Sequence, residues 1–369
     1  MIDLLEDHGS DSIENNDQKL DLALGNDGYQ RLFSDGDNDE FKTGPEQKKT
    51  VDIVLVTVYL VSATAMPLMN YYVFTEQFEY PILSTAVQLF ITAIIMFFWN
   101  ISFHFRCVKE HIPHTWIFEK IWWKILCLLP ATIVFTLDIS LNNCGLAKCG
   151  VSIHVLIKAT GIIWNVLFSA IFKMDFPNKF GCICCVILVV GGAMVFGEAL
   201  YLYGWGSETS VGVLLTFSAS ILGGLYTVLI SRSMKRLKLN FSLPMHPTET
   251  TCINIGMMSL IMFMFDPLVE PHAYYDLFHI DDGAILLSLF GGVVLTACMK
   301  LTMIWIVSRN TPIGMGVISQ TKLAPQVLLD IFCFHKYPIN FFMILGTIII
   351  CVGAIMYGFE MNRKKKSKK

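Results

Sequence analysis

A chain of 369 residues with 54% hydrophobic and only 15% charged side chains carries too little charge for an ordinary soluble domain, where about 25% is usual. Its mean hydropathy is +0.56, and a net charge of −3 offers no global attraction for nucleic acid. The eleven cysteines lie almost all in or beside apolar stretches, and the Cys182–Cys185 cluster sits in a long apolar run, which points to membrane-core filler rather than a metal site.

Residues 1–47 hold thirteen acidic residues against three basic ones and cannot bury a core, so they are expected to form a disordered acidic tail. The acidic, polar start predicts no signal peptide. Asp35, Asp37, Asp39 and Glu46 stand at calcium-loop spacing, but Glu40 occupies the position that needs glycine, so no calcium site is assigned. From Thr50 the chain reads as ten apolar runs, each long enough to span a bilayer as a helix. They fall at 51–73, 80–102, 125–147, 150–172, 180–202, 209–231, 249–269, 283–307, 311–333 and 339–360, with longer connections at 103–124, 232–248 and 270–282.

Charge in the connections predicts orientation. One side collects Lys48, Lys49, Arg106, Lys109, Lys120, Lys124, Lys173, Lys179, Arg232, Lys235, Arg236, Lys238, Arg309 and the tail Arg363 to Lys369. The other has Lys148 and Lys336, with Asp266, Glu270, Asp276, Asp281 and Asp282 in an acidic loop. The positive-inside rule places both termini in the cytosol, which agrees with an even span count. The sequons at Asn100 and Asn240 then face the cytosol and escape glycosylation. The basic tail 361–369 suits either contact with anionic lipid or a plain stop-transfer flank.

The chain also repeats itself. Counting from Pro177 and from Pro338, Gly192 matches Gly353, Ala193 matches Ala354, Phe196 matches Tyr357 and Gly197 matches Gly358. The span before each proline carries a mid-span lysine, Lys158 and Lys322, nineteen and sixteen residues upstream. Five spans repeated must invert, because five is odd, so an all-α integral membrane fold of two inverted five-helix repeats is expected, 48–202 and 203–360. Such carriers bind their cargo at the repeat interface near the midplane.

A lysine deep in hydrocarbon costs about 2.5–3.5 kcal/mol on insertion scales and normally faces a cavity. Lys158, with His154 one turn before it, is read as a binding residue against two plainer alternatives, pairing with a carboxylate and snorkelling. With Lys322 it makes two cations that want an anion such as a phosphate. Asp138 and Asn142 lie one turn apart on the third run, with Asn143 beside them; they either serve the ligand or, for Asp138, pair with a lysine when the cavity is empty. Ser319 and Gln320 precede Lys322. Tyr226 is available to stack a base, against the plainer reading of a helix-packing aromatic. Lys300 either reaches a cavity mouth or snorkels, and Arg309 is a topology anchor or a substrate gate. The glycine pairs Gly191–Gly192, Gly223–Gly224 and Gly291–Gly292 allow close helix packing, and glycines on the fifth and tenth runs permit a homodimer. No nucleotide-triphosphate loop, HExxH, GxSxG or clustered His/Asp set is present, so neither an enzyme nor a cofactor is expected.

The run LDISLNNCGLAKCGVSIHVLIKATGIIWNVLFSAIFK resembles the third and fourth spans of nucleotide-sugar and triose-phosphate translocators of the drug/metabolite transporter superfamily. IVSRNTPIGMGVISQTK resembles their eighth-to-ninth connection, closest to the C subfamily of solute carrier family 35. The resemblance covers about residues 50–360. It implies ten helices and antiport of a nucleotide sugar for a nucleoside monophosphate across a Golgi or endoplasmic-reticulum membrane. Lys158 and Lys322 match positions that hold phosphate in related carriers. Leu323 stands where triose-phosphate carriers have arginine, which argues against a small phosphate, and HPTETTCIN departs from the run typical of guanosine-sugar carriers. Carriers of small phosphorylated or uncharged metabolites, and a non-transporting membrane regulator working through its acidic tail, are the alternatives.

Overall fold

The computed structural model of the protein describes residues 45–109, 117–158, 160–174, 179–203, 207–241, 247–279, 283–309 and 340–367, with Met245, Lys322, Gln326 and Leu329. Every regular element among them is a helix: α1 Pro45–Tyr72, running on into one π-helical turn Val73–Gln77, α2 Pro81–Lys109, α3 Ile121–Cys149, α4 Val151–Lys158, α5 Gly161–Ile171, α6 Lys179–Tyr203, α7 Glu208–Phe241, α8 Pro247–Val269, α9 Ala273–Phe278, α10 Gly283–Arg309 and α11 Phe341–Ser367. Eight segments among the described residues are long and apolar enough to cross a bilayer, from Val54–Gln77 to Gly283–Ile306. They answer to the first eight expected runs. The ninth, 311–333, lies outside the described residues except for Lys322, Gln326 and Leu329. The tenth meets α11, with the shorter apolar portion Ile344–Gly353. Large apolar side chains point outward, Trp122 at 74%, Met264 at 77% and Leu268 at 80% exposure. Such a surface is a liability in water and natural against lipid tails. The protein is a multi-pass membrane protein.

Several expectations are corrected. The fourth run is not one continuous helix: α4 stops at Lys158 and α5 starts at Gly161. The connection expected at 232–248 is largely helical, because α7 continues to Phe241, and the loop expected at 270–282 contains α9. Lys124 was counted with the basic flank, yet it is fully buried in an ion pair with Glu249 of α8. Asp266 was expected in an acidic loop, but α8 runs on past Pro267 to Val269 and buries it completely.

Helix pairing follows from small residues at the contacts. α3 lies along α7, where a Cβ on Gly145 would stand 2.4 Å from Thr216 Oγ1 and one on Gly212 would stand 2.9 Å from the Cys149 backbone. α6 lies along α11, with Gly191 2.7 Å, by the same measure, from the Gly346 carbonyl. The remaining extensive pairs are α2 with α8, α1 with α10, and α7 with α4 and α5. Gly191, Gly192 and Gly353 all meet neighbours within this chain, so they are not a free face for a second copy. At the corner between α3 and α4, Gly150 has φ 75° and ψ 167°, a conformation that essentially only glycine adopts.

The helix ends are tied by polar side chains. The Glu270 carboxylate accepts from the Ile82 and Leu83 N–H groups, 3.0 Å each, at the positive end of α2. The Tyr80 hydroxyl donates to Asp276, and that carboxylate pushes the phenol pKa up. Buried apolar side chains form two clusters. One holds Tyr71, Phe74, Leu83, Leu146 and Val151; the other holds Tyr59, Leu128, Tyr226, Met258 and Ile304. Between them is a cavity whose lining draws on both.

Candidate functional site

The cavity has a volume of about 240 Å³ and is walled by α1, α2, α3, α4, α5, α7 and α10, with Lys322 and Gln326. A single water needs about 10–15 Å³ of such space, so the cavity has room for several. The break between α4 and α5 borders it. There the Ile157 carbonyl, freed from a regular helix bond, accepts from Thr160 N–H at 3.0 Å, Thr160 Oγ1 at 2.8 Å and Ser220 Oγ at 3.4 Å. Irregular backbone at membrane depth is tolerated only where it is so satisfied and lines a cavity or is buried in protein. The interruption lets Lys158 end a helix at the cavity wall.

Lys158 donates to Asp138 Oδ1 at 2.5 Å; their side chains are 29% and 7% exposed. Pairing with a lysine is one of the two readings of Asp138, and this contact is the one that reading expects. Asn143 lines the cavity and donates to Thr85 Oγ1 at 2.6 Å. Asn142 donates to Asn143 Oδ1 at 3.4 Å, and its own Oδ1 has no hydrogen-bond partner among the described residues. His154 is buried, with Nδ1 3.2 Å from Thr216 Oγ1. Lys322 also lines the cavity and makes no ion pair among the described residues. Gln326 donates to the Ala63 carbonyl at 2.6 Å, tying the ninth run to α1.

Tyr226 lines the cavity but packs its ring on Phe135, centroids 3.6 Å apart and planes 7° apart. Its oxygen accepts from Asn254 Nδ2 at 3.2 Å, and Asn254 Oδ1 accepts from Thr132 at 2.8 Å. Helix packing therefore describes Tyr226 better than a ring open to a base. Ser319 and Gln320 lie outside the described residues. Arg309 ends α10, and its side chain is outside the description.

Sequence reasoning undervalued Lys300. It neither snorkels nor sits at a mouth: it is 5% exposed, lines the cavity, and holds its ammonium 3.9 Å from the Phe135 ring centroid. The signal was in its position. Arg309, the last residue of α10, is nine residues further on, about 13 Å along the axis and beyond a lysine's reach. The described lining thus holds three ammonium groups, Lys158, Lys300 and Lys322, against the single carboxylate of Asp138. Among the described residues no group of three or more metal-ligating side chains occurs. Chemically, three amino groups facing one carboxylate suit an anion.

Comparison with known proteins gives the family. One solved crystal structure superposes with a TM-score of 0.57 at 12% identity, covering 84% of this chain and 98% of its own, a likeness that shows the fold alone. The model of the triose-phosphate transporter family matches residues 50–358. Members of that family are membrane transporters of sugar phosphates or nucleotide sugars, and the chain belongs to it.

Proposed function

We propose that the protein is a secondary antiporter that exchanges a nucleotide sugar for a nucleoside monophosphate by alternating access, in a Golgi or endoplasmic-reticulum membrane with both termini cytosolic. The observation that carries this reading is the surplus of lysines over carboxylates in one cavity, three against one. A dianion cancels that surplus. Without one, carrying uncompensated charge through a closed, dehydrated state is costly, so the loaded carrier changes sides more readily than the empty one. Asp138 holds Lys158, and an incoming phosphate displaces it.

Ten spans in two inverted repeats complete the reading. Exchanging the halves maps α1 onto α7, α2 onto α8, α3 onto α10 and α6 onto α11. The α3–α7 pair then becomes α10–α1, while α2–α8 and α6–α11 map onto themselves, and these four are among the extensive helix pairs described above. Polar ties join the same exchanged element pairs, with donor and acceptor reversed. Ser220 of α7 reaches the Ile157 carbonyl of α4, and Gln326 of the ninth run reaches the Ala63 carbonyl of α1. Thr132 of α3 bonds Asn254 of α8, as Thr92 of α2 bonds the Val293 carbonyl of α10. These correspondences support a repeat interface at the cavity, with Lys158 from one half and Lys322 from the other.

The test is exchange in proteoliposomes preloaded with nucleoside monophosphate. Lys158→Ala and Lys322→Ala are each expected to abolish uptake of labelled nucleotide sugar while the purified protein stays folded. Normal exchange by either variant overturns the assignment. A small sugar phosphate is the second reading, favoured by the family's name. It predicts that triose phosphate competes better than nucleotide sugar.

A further inference from the structure

We infer that Lys300 forms a second anion subsite in the cavity, facing the phosphate pair of Lys158 and Lys322, so that the cargo is held at two phosphoryl groups as a diphosphate. This rests on the anion-carrier reading above and goes beyond it by assigning the second group. Lys300 is buried in α10, on a different element from either of the other lysines, and lies within electrostatic reach of Asp138, Lys158 and Lys322. Its ammonium is held over the Phe135 ring. That ring is itself fixed by stacking on Tyr226, which Asn254 and Thr132 hold in turn. An aromatic face stabilises a cation without neutralising it. Lys158 has a carboxylate partner; Lys300 has no ion pair among the described residues. An ammonium carries three donors and no acceptor, and those of Lys300 have no acceptor among the described hydrogen bonds other than the aromatic face, in a cavity with room for a ligand. Positioned, desolvated and unneutralised, it is the arrangement that a second anionic group completes. A single phosphate at Lys158 and Lys322 leaves it unpaired, whereas a diphosphate reaches both.

The experiment measures dissociation constants of inorganic phosphate and inorganic pyrophosphate for the purified full chain by calorimetry. The expected result is a preference for pyrophosphate of tenfold or more. It should fall below twofold in both Lys300→Met and Lys300→Gln, and persist in Lys300→Arg. A preference that persists in the two uncharged variants overturns the subsite, as does an equal loss of both anions in them. Failure of the underlying reading looks different: the unmodified protein then binds neither anion, or Lys158→Ala leaves phosphate binding intact.

Discussion

Asp138→Asn separates a counter-ion from a ligand contact. In the structure Asp138 holds Lys158 at 2.5 Å, with the aspartate 7% and the lysine 29% exposed. Two unit charges about 4 Å apart attract by about 4 kcal/mol at an effective dielectric of about 20. Solvent at the partly exposed lysine reduces this, to about 2 kcal/mol. An anion that binds Lys158 must first displace this carboxylate. Neutralising it therefore tightens anion binding by about thirtyfold, since about 1.4 kcal/mol is a factor of ten. The same change leaves the empty cavity with three uncompensated lysines instead of a partial balance, so return of the empty carrier slows and exchange becomes stricter. The assay pairs calorimetry with phosphate or nucleotide against uptake into empty and preloaded proteoliposomes. Tighter binding together with a larger ratio of preloaded to empty uptake is the expected signature. Weaker or unchanged binding in a folded Asp138→Asn variant refutes the argument, and means that Asp138 touches the cargo directly.

Two further changes test the scaffold. A Cβ at Gly224 would lie 2.5 Å from Trp164 Cβ and 2.9 Å from the Asn165 nitrogen, so Gly224→Ala must push α7 from α5 and is expected to cost about 1–3 kcal/mol; an unchanged melting temperature in detergent would contradict the close approach. Lys124→Met takes the ammonium away from Glu249 in a site where both side chains are almost completely buried and is expected to cost about 3–5 kcal/mol, while Lys124→Met with Glu249→Leu recovers part of it; equal loss in single and double variants would show that the pair is not the source.

What was legible in the chain was whatever period and length encode. Eight runs became spans because about twenty apolar residues have few other folds available. Lys158 and Lys322 announced themselves because a charge amid such a run is rare. The break after Lys158 was not legible, since VSIHVLIK and GIIWNVLFSAI carry no proline; Thr160 bonds the Ile157 carbonyl locally, and Ser220, sixty-three positions away, adds a longer bond that no local pattern shows. Lys124 misled for a related reason. Four residues into α3, it looks like a flank, and only Glu249, 125 positions away, makes it interior.

The charge chemistry of the cavity converges on one helix. Lys158 meets Asp138 and Lys300 meets Phe135, and both partners belong to α3, three residues apart on one face, with Asn142 a further turn along. One lysine is neutralised and the other only polarised, by side chains that share a single rigid support. Any displacement of α3 relative to α4 and α10 must therefore alter both cations together. An anion that pulls Asp138 from Lys158 acts on the same face that carries Phe135 beneath Lys300.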